Sequence, residues 1–320
     1  MIAYFILVHR YPEQFKRMFR AIYLPGNSYV VHVDKSSGVA LEADVRAFLA
    51  PYQGVDMIAS RKALWGGYSL VDAELRGMAR LLDMNPDWTH FINLSGQDFP
   101  LKSQAYARDF LAANPGRQFI RFADQAQVRP DTMERVGHYA LEAMGRMFRT
   151  RVGRPYLAGA RPYIGTQWKA VTRAFCDFVC HDTQTERFKS FYRKSFIPDE
   201  GFFQSAMLNT RGHGEIVNDD LRMIDWVPDG HGELRPHVFT VADALRLKSS
   251  TALFARKFDA LEDAQILDLL EAHIATPQPF FFRAEDESNA GAPKLDPSCR
   301  VGTTSLAELP FAPALHHSDR

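Results

Sequence analysis

Cysteine is scarce in this chain: Cys176, Cys180 and Cys299 are all there is in 320 residues. Three thiols build no disulfide framework and fit a reducing compartment. Cys176 and Cys180 stand one helical turn apart beside His181, but no second ligand pair follows. Small buried thiols are therefore a better reading than zinc. Net charge is lacking too, because Lys plus Arg and Asp plus Glu balance at 38 each. No global field draws the chain to nucleic acid or to an anionic membrane, so a polyanion has to meet a local patch. Long apolar runs are also absent. The first, residues 2–8, has no basic flank before it and is too short for a membrane span, so it reads as a buried strand. With no signal peptide or span in view, the expected location is cytoplasmic. A further absence follows that strand: the turn His9-Arg10-Tyr11-Pro12 offers neither a dinucleotide fingerprint nor a Walker loop, which weighs against hydride transfer and P-loop chemistry.

What is present is apolar material, 46% of the residues, enough for a large core. The first half alternates strand and helix. Pro12 suits the first turn of a helix over 12–22, and residues 29–33 are β-branched and aromatic. A helix over 41–50 precedes a strand at 55–58. Ser69 followed by Asp72 resembles a capping signal, and the apolar stripe from Leu70 to Leu82 carries a helix onward. A strand at 91–94, a helix at 103–113 and a strand at 119–122 follow. The second half is less regular, with helices expected at 172–181, 200–209 and 263–273 and strands at 222–226 and 252–255. From Pro277 onward Pro, Ala, Gly and Ser thicken, and residues 276–320 read as a Pro-rich extension. The pattern predicts an α/β fold with functional loops at the strand C-terminal ends. One sheet-based domain over 1–275 is expected, with a nucleotide-binding half at 1–123 and an acceptor and catalytic half at 124–275.

The strand ends carry candidate chemistry. His32-Val33-Asp34-Lys35 places an acid where it either accepts from a base or ribose or caps the next turn. Residues 61–69 combine Trp65 with Gly66 and Gly67 just before a helix. An exposed indole on a glycine loop suits stacking on a sugar face, and a core tryptophan flanked by turn glycines is the plainer alternative. After the fourth strand comes Asn93-Leu94-Ser95-Gly96-Gln97-Asp98-Phe99-Pro100. Its polar crowding suits a ligand, although Asp98 before an aromatic and a proline also locks a turn.

Together with residues 6–9, 21–23, 165–173, 197–203, 218–226 and 253–258, these segments occur in the order seen in one glycosyltransferase family. The chain resembles the peptide O-xylosyltransferases and the core-2 and I-branching β-1,6-N-acetylglucosaminyltransferases over roughly residues 2–275. Trp65-Gly66-Gly67 with Ser69 and Leu70, the Asn93-Leu94-Ser95 turn and Phe254-Ala255-Arg256-Lys257-Phe258 look closer to the xylosyltransferase branch. The resemblance implies a GT-A-like, Rossmann-like fold with a central, mostly parallel sheet flanked by helices. It also implies inverting transfer from a UDP-sugar to a glycan, lipid-linked glycan or protein hydroxyl. Most GT-A enzymes place a metal through Asp-x-Asp. No such motif stands at a strand end here, the closest acidic spacing being Glu285 with Glu287 in the tail, so no metal or other cofactor is expected.

On its own residues Glu200 reads as a first-turn helix acid; by resemblance it is the general base. Arg256 and Lys257 match the family's diphosphate-binding pair, and Arg235 a further cation. Fixed cations aimed at a departing diphosphate can replace a metal ion. His9 and Asp34 are placed by resemblance around the uridine. Trp65, Gly66, Gln97, Asp98, Thr166, Gln167 and Trp168 fall around the donor sugar or acceptor. Gln167 replaces an acidic residue of the animal xylosyltransferases, which leaves the donor open between xylose and N-acetylglucosamine. A non-catalytic glycan-binding subunit is the reading from another class. Finally, Arg146, Arg149, Arg151, Arg154 and Arg161 form a basic stretch. It reads as a solvated loop, the alternative being contact with an anionic acceptor or membrane surface.

Overall fold

The computed structural model describes residues 1–228 and 234–277. Cys299, Glu285, Glu287 and all of the Pro-rich extension beyond residue 277 lie outside the described residues. Strand β1 (Ile2–Val8) leads through α1 (Pro12–Ile22) to β2 (Ser28–Val33), then α2 (Val39–Leu49) and β3 (Val55–Met57). Helix α3 (Tyr68–Met84) returns the chain to β4 (His90–Ser95), followed by β5 (Asp98–Pro100), α4 (Gln104–Ala112) and β6 (Gln118–Ile120). Next come β7 (Ala123–Asp124), a hairpin of β8 (His138–Ala143) and β9 (Arg146–Gly153), then β10 (Tyr163–Ile164) and β11 (Lys169–Thr172). The last strands are β12 (Ile216–Val217), β13 (Arg222–Ile224), β14 (Trp226–Pro228), β15 (Leu234–Pro236) and β16 (Phe254–Arg256).

Seven strands form the main sheet in the order β12-β6-β11-β4-β1-β2-β3. Strands β1 to β4 pair parallel, as the strand–helix alternation requires, and β12 pairs parallel with β6. Strand β11 runs antiparallel to both β4 and β6, so the sheet is mixed. A second sheet, β13-β16-β5, sets Arg256 opposite Asp98.

Because β1 is covered on both faces it reads as an unbroken apolar run. Its Tyr4, Ile6 and Val8 join one core with Phe15, Phe19 and Tyr29 under α1 and α2. Ala3 and Phe5 face the other core, with Val71, Met78 and Phe91 and with Phe175, Phe202 and Phe203 from the second half. Tyr4 and Tyr29 stack with ring centroids 5.3 Å apart. Local signals place the helix starts: Ser103 accepts from Tyr106 N–H, Thr172 accepts from Phe175 N–H, and Pro12 opens α1.

The structure corrects four local expectations. Ser69 is not a cap, since α3 already begins at Tyr68 and the Ser69 hydroxyl accepts from Leu64 N–H at 2.8 Å. Glu200 does not open a helix; it closes a 3-10 turn, Pro198–Glu200, and Gly201 separates it from the helix Phe202–Leu208. The strand expected at 252–255 is shifted to 254–256, which puts Arg256 inside it. Residues 146–153 of the basic stretch are not loop but strand β9, because pairing with β8 satisfies a backbone that its charged side chains had marked as solvated, whereas Arg154 and Arg161 lie outside the strand.

Candidate active site

The C-terminal ends of β1 and β4 and the β16 strand bring cations together. Arg10 follows β1 and donates Nε and Nη2 to the Gln97 side-chain oxygen at 3.2 and 2.9 Å. Gln97 is buried and its amide also donates to Phe258 O, so it is a fixed neutral acceptor for Arg10. Arg256 donates Nη1 to Asp98 Oδ1 at 3.0 Å and to the Ser95 hydroxyl. Asp98 is fully buried, and its Oδ2 accepts from Ser95 N–H at 2.9 Å. It holds Arg256 from behind. Trp168, 3% exposed, lies beneath two guanidinium groups, with Arg256 Cζ 5.0 Å and Arg222 Cζ 5.3 Å from its ring centre.

The electrostatics place these groups within reach of one another's charge. Burial, then Arg10 and Arg256, push the His9 imidazole down to about 4, with Lys257 adding to this and Asp34 opposing it. Burial also lowers the Lys257 ammonium, joined by Arg10, Arg256 and Arg235, with Asp259 the opposing charge. His9, Arg10, Arg235, Arg256 and Lys257 thus share one field, and part of its cost is burial of like charge. Such a cluster is stabilised by an anion. Asp34 stands beside it. Its Oδ1 accepts from Ser36 N–H at 2.6 Å and its Oδ2 from Ala63 N–H at 3.2 Å, so its carboxylate caps a turn and tethers the 61–69 loop.

That loop presents Trp65, 61% exposed, edge-on to Phe196 at 5.8 Å. Gly66 has φ 76°, a conformation that favours glycine, and its carbonyl accepts from Ile197 N–H at 2.9 Å. The contact joins the tryptophan loop to the Pro198–Glu200 turn. A second tie comes from Gly165, whose N–H donates to Glu200 O at 2.7 Å. A Cβ on Gly165 would sit 1.9 Å from the Arg121 carbonyl, so only glycine allows this approach. Thr166 then donates to Asp220 Oδ2 at 2.6 Å, while the Gln167 carbonyl accepts from Asn93 Nδ2 and Lys169 Nζ. Residues 165–168 therefore run from Glu200 to the tryptophan under Arg256.

Glu200 is held by Arg135, whose Nη1 donates to Oε2 at 2.7 Å. The Arg135 side chain is 4% exposed and that of Glu200 17%, so the pair is partly sheltered, with the carboxylate the more exposed partner. Next to it Asp199 is buried, with Oδ1 lacking a hydrogen-bond partner. Burial first, and then Glu200, raise its carboxyl to about 7. Beneath both lies a buried ion pair, Lys169 Nζ to Glu74 Oε1 at 2.7 Å, with the ammonium 3.9 Å from the Phe203 ring centre.

Arg10, Arg135, Asp199 and the Lys169–Glu74 pair were not among the residues singled out from sequence. Arg10 had a signal, its place directly after the first strand. Arg135 and Glu74 had none, because their partners lie 65 and 95 residues away. The basic stretch divides. Arg154 leaves the patch: its guanidinium donates to Val136 O, Phe191 O and Ser195 Oγ and packs 3.8 Å over the Phe191 ring centre. Arg146, Arg149 and Arg151 stay exposed on β9.

A family model described as "Core-2/I-Branching enzyme" matches residues 2–248. The chain belongs to this family. Core-2/I-branching enzymes are glycosyltransferases, and the matched span carries Glu200, Arg10, Arg135 and Arg235, while β16 with Arg256 and Lys257 falls just beyond it. Similar proteins include xylosyltransferase 2 of Mus musculus, 29% identical over 301 residues, which cover 87% of this chain and 34% of that protein. Xylosyltransferase 1 of Rattus norvegicus is 29% identical over 292 residues, covering 85% of this chain and 35% of that protein. The chain thus spans about a third of the length of these curated relatives. No helix among the described residues is long and apolar enough to cross a membrane.

Proposed function

We propose that this chain is an inverting, metal-independent glycosyltransferase of GT-A-like organisation, moving a sugar, with xylose favoured, from a UDP-sugar to an acceptor hydroxyl. The observation that carries the reading is the cation cluster of Arg10, Arg235, Arg256 and Lys257, joined through residues 165–168 to Glu200. The chemistry needs two things: a carboxylate for the acceptor proton and positive charge for the departing diphosphate. Glu200 takes the proton as the acceptor oxygen bonds to the donor's anomeric carbon. The bond from that carbon to the diphosphate breaks at the same time, and the electron pair leaves with UDP toward Arg256 and Lys257. Arg135 fixes the direction in which the carboxylate points. The cations sit in a half-buried site, where their field is screened less than in bulk water. A glycan-binding subunit would need no carboxylate held in this way.

The test is turnover of a UDP-sugar panel that includes UDP-xylose and UDP-N-acetylglucosamine, followed as UDP release with and without acceptor hydroxyls. Glu200→Gln keeps shape but takes no proton. It should lower transfer by ~10²–10⁴ while leaving UDP affinity within a few-fold. Near wild-type turnover in that variant would remove Glu200 from the mechanism. Release of N-acetylglucosamine alone would assign the donor to the branching type.

A further inference from the structure

The β8–β9 hairpin projects from the rim of the site and is unusual in what it exposes. Leu141 and Phe148, paired across the two strands, are each 46% exposed, Val152 is 62% exposed, and Met144 at the turn is 96% exposed. Exposed Trp65 lies nearby, since its ring meets Phe196 edge-on and the Arg149 guanidinium of β9 packs over that same Phe196 ring. Large apolar side chains scattered singly over a surface are ordinary, but a cluster on one projecting element marks a contact surface. The charge around it is of one sign. Between residues 143 and 176 the sequence has no acidic residue at all. Arg146 and Arg151 flank the apolar strip, and Lys62 approaches the turn, its Nζ 3.6 Å from where a Gly145 Cβ would lie. Two carboxylates are near, and both are engaged: Glu142 accepts from Ser69 N–H at 3.0 Å, and Glu134 lies 3.4 Å from Arg149.

We propose that this hairpin is a membrane-docking element that seats on an anionic lipid surface, with Met144, Phe148 and Leu141 entering the interface and Arg146, Arg151 and Lys62 meeting headgroup charge. Charge complementarity selects the occupant, because a chain with zero net charge has concentrated cations beside its apolar tip. An apolar tip flanked by guanidinium groups suits a lipid interface, which accepts protruding side chains without a shaped partner, and the neighbouring indole suits the headgroup level. The hairpin base is tied to the catalytic rim: Ala140 N–H donates to Lys194 O, and Phe196 N–H donates to Arg135 O. A cavity of about 500 Å³ opens between the 61–69 loop and the hairpin tip, lined by Arg61, Lys62, Tyr68, Glu142 and Arg193. Docking at the tip would set the mouth of this cavity against the surface, where a membrane-borne hydroxyl acceptor would be presented.

Vesicle flotation of the full chain tests this without reference to turnover. Vesicles of about three parts phosphatidylcholine to one part phosphatidylglycerol should carry the protein, and phosphatidylcholine alone should carry far less. Raising salt from about 0.1 to about 0.5 M should release it. Arg146→Gln with Arg151→Gln should weaken binding roughly tenfold or more. Met144→Ser with Phe148→Ser should weaken binding to a similar degree through lost apolar insertion. Melting temperature and UDP affinity should stay as in the wild type, since none of these four side chains lies in the site. No flotation with anionic vesicles, or flotation unchanged in both double variants, would overturn the proposal. Equal retention on a soluble acidic polypeptide such as polyglutamate would also overturn it, in favour of an acidic protein partner.

Discussion

Glu200 and Arg135 lie 2.7 Å apart in space and 65 residues apart in sequence, so the orientation of the proposed base is a tertiary property. The same holds for the cations. Lys257→Ala should weaken UDP binding much more than uridine binding, because its ammonium lies in the field of the like-charged Arg10, Arg256 and Arg235 and gains from an anion placed among them. Calorimetric titration of both ligands separates the outcomes: equal losses mean a damaged fold, and no loss means that Lys257 does not hold diphosphate. Asp199 allows a prediction about pH. Its carboxyl is raised to about 7, so the folded state binds a proton that the unfolded chain gives up near ordinary carboxylate values. Its contribution is fully present below about pH 4 and is lost as pH rises toward and through 7, an effect on the order of a few kcal/mol. Asp199→Asn should flatten that part of the stability profile, measured by urea denaturation at several pH values. An unchanged slope would mean that Asp199 titrates normally.

At the level of elements, short segments that join regular pieces carry the site. Residues 165–168 are the clearest case, running from the Glu200 carbonyl to the tryptophan beneath Arg256. Gly165→Ala would drive a methyl group into the Arg121 carbonyl, which must then move away from the Gly165 turn. Overpacking of this kind typically costs ~1–3 kcal/mol. Transfer should fall by more than stability alone explains, because the displaced segment also holds the Glu200 turn. Comparing residual turnover with the folded fraction at the assay temperature checks this, and a variant as active per folded molecule as the wild type would limit the segment to packing. The hairpin makes a related point. Its charged residues suggested loop, yet cross-strand pairing is what sets Arg149 over Phe196 and leaves Phe148 outward.

In the whole molecule, the cation cluster draws on distant parts of the chain: Arg10 after β1, Arg235 in β15, and Arg256 and Lys257 at β16. Main-sheet strands also come from residues before and after 123, so the field toward an anion depends on the entire fold. If these cations stabilise the leaving diphosphate, UDP binding and sugar transfer should survive EDTA at full rate. Loss of activity on chelation with recovery by manganese or magnesium would contradict this. The measurement should use the full chain and one fixed ionic strength, because exposed charges such as Arg235 are screened by salt.

The order of strand and helix through residue 122 was legible in the sequence apart from the short strand β5, which read as loop, because 2–8, 29–33 and 91–94 are apolar runs between helical stripes and Pro12 and Ser103 mark helix starts. Local order fixes which residues reach strand ends, so Asp34, Gln97 and Asp98 could be named as candidates, and the family resemblance added His9. It does not fix which way a strand runs when no crossover helix constrains it, and β11 entered the sheet antiparallel. Nor does it reveal what a candidate does once packed. Asp98 became the buried anchor of Arg256 and Gln97 the acceptor for Arg10, while Arg154 was drawn from a basic surface into contacts beneath the hairpin. Arg135 against Glu200 and Lys169 against Glu74 carried no sequence signal, since each pair is made only when separate elements bury against one another and a charge taken out of water requires an opposite charge beside it.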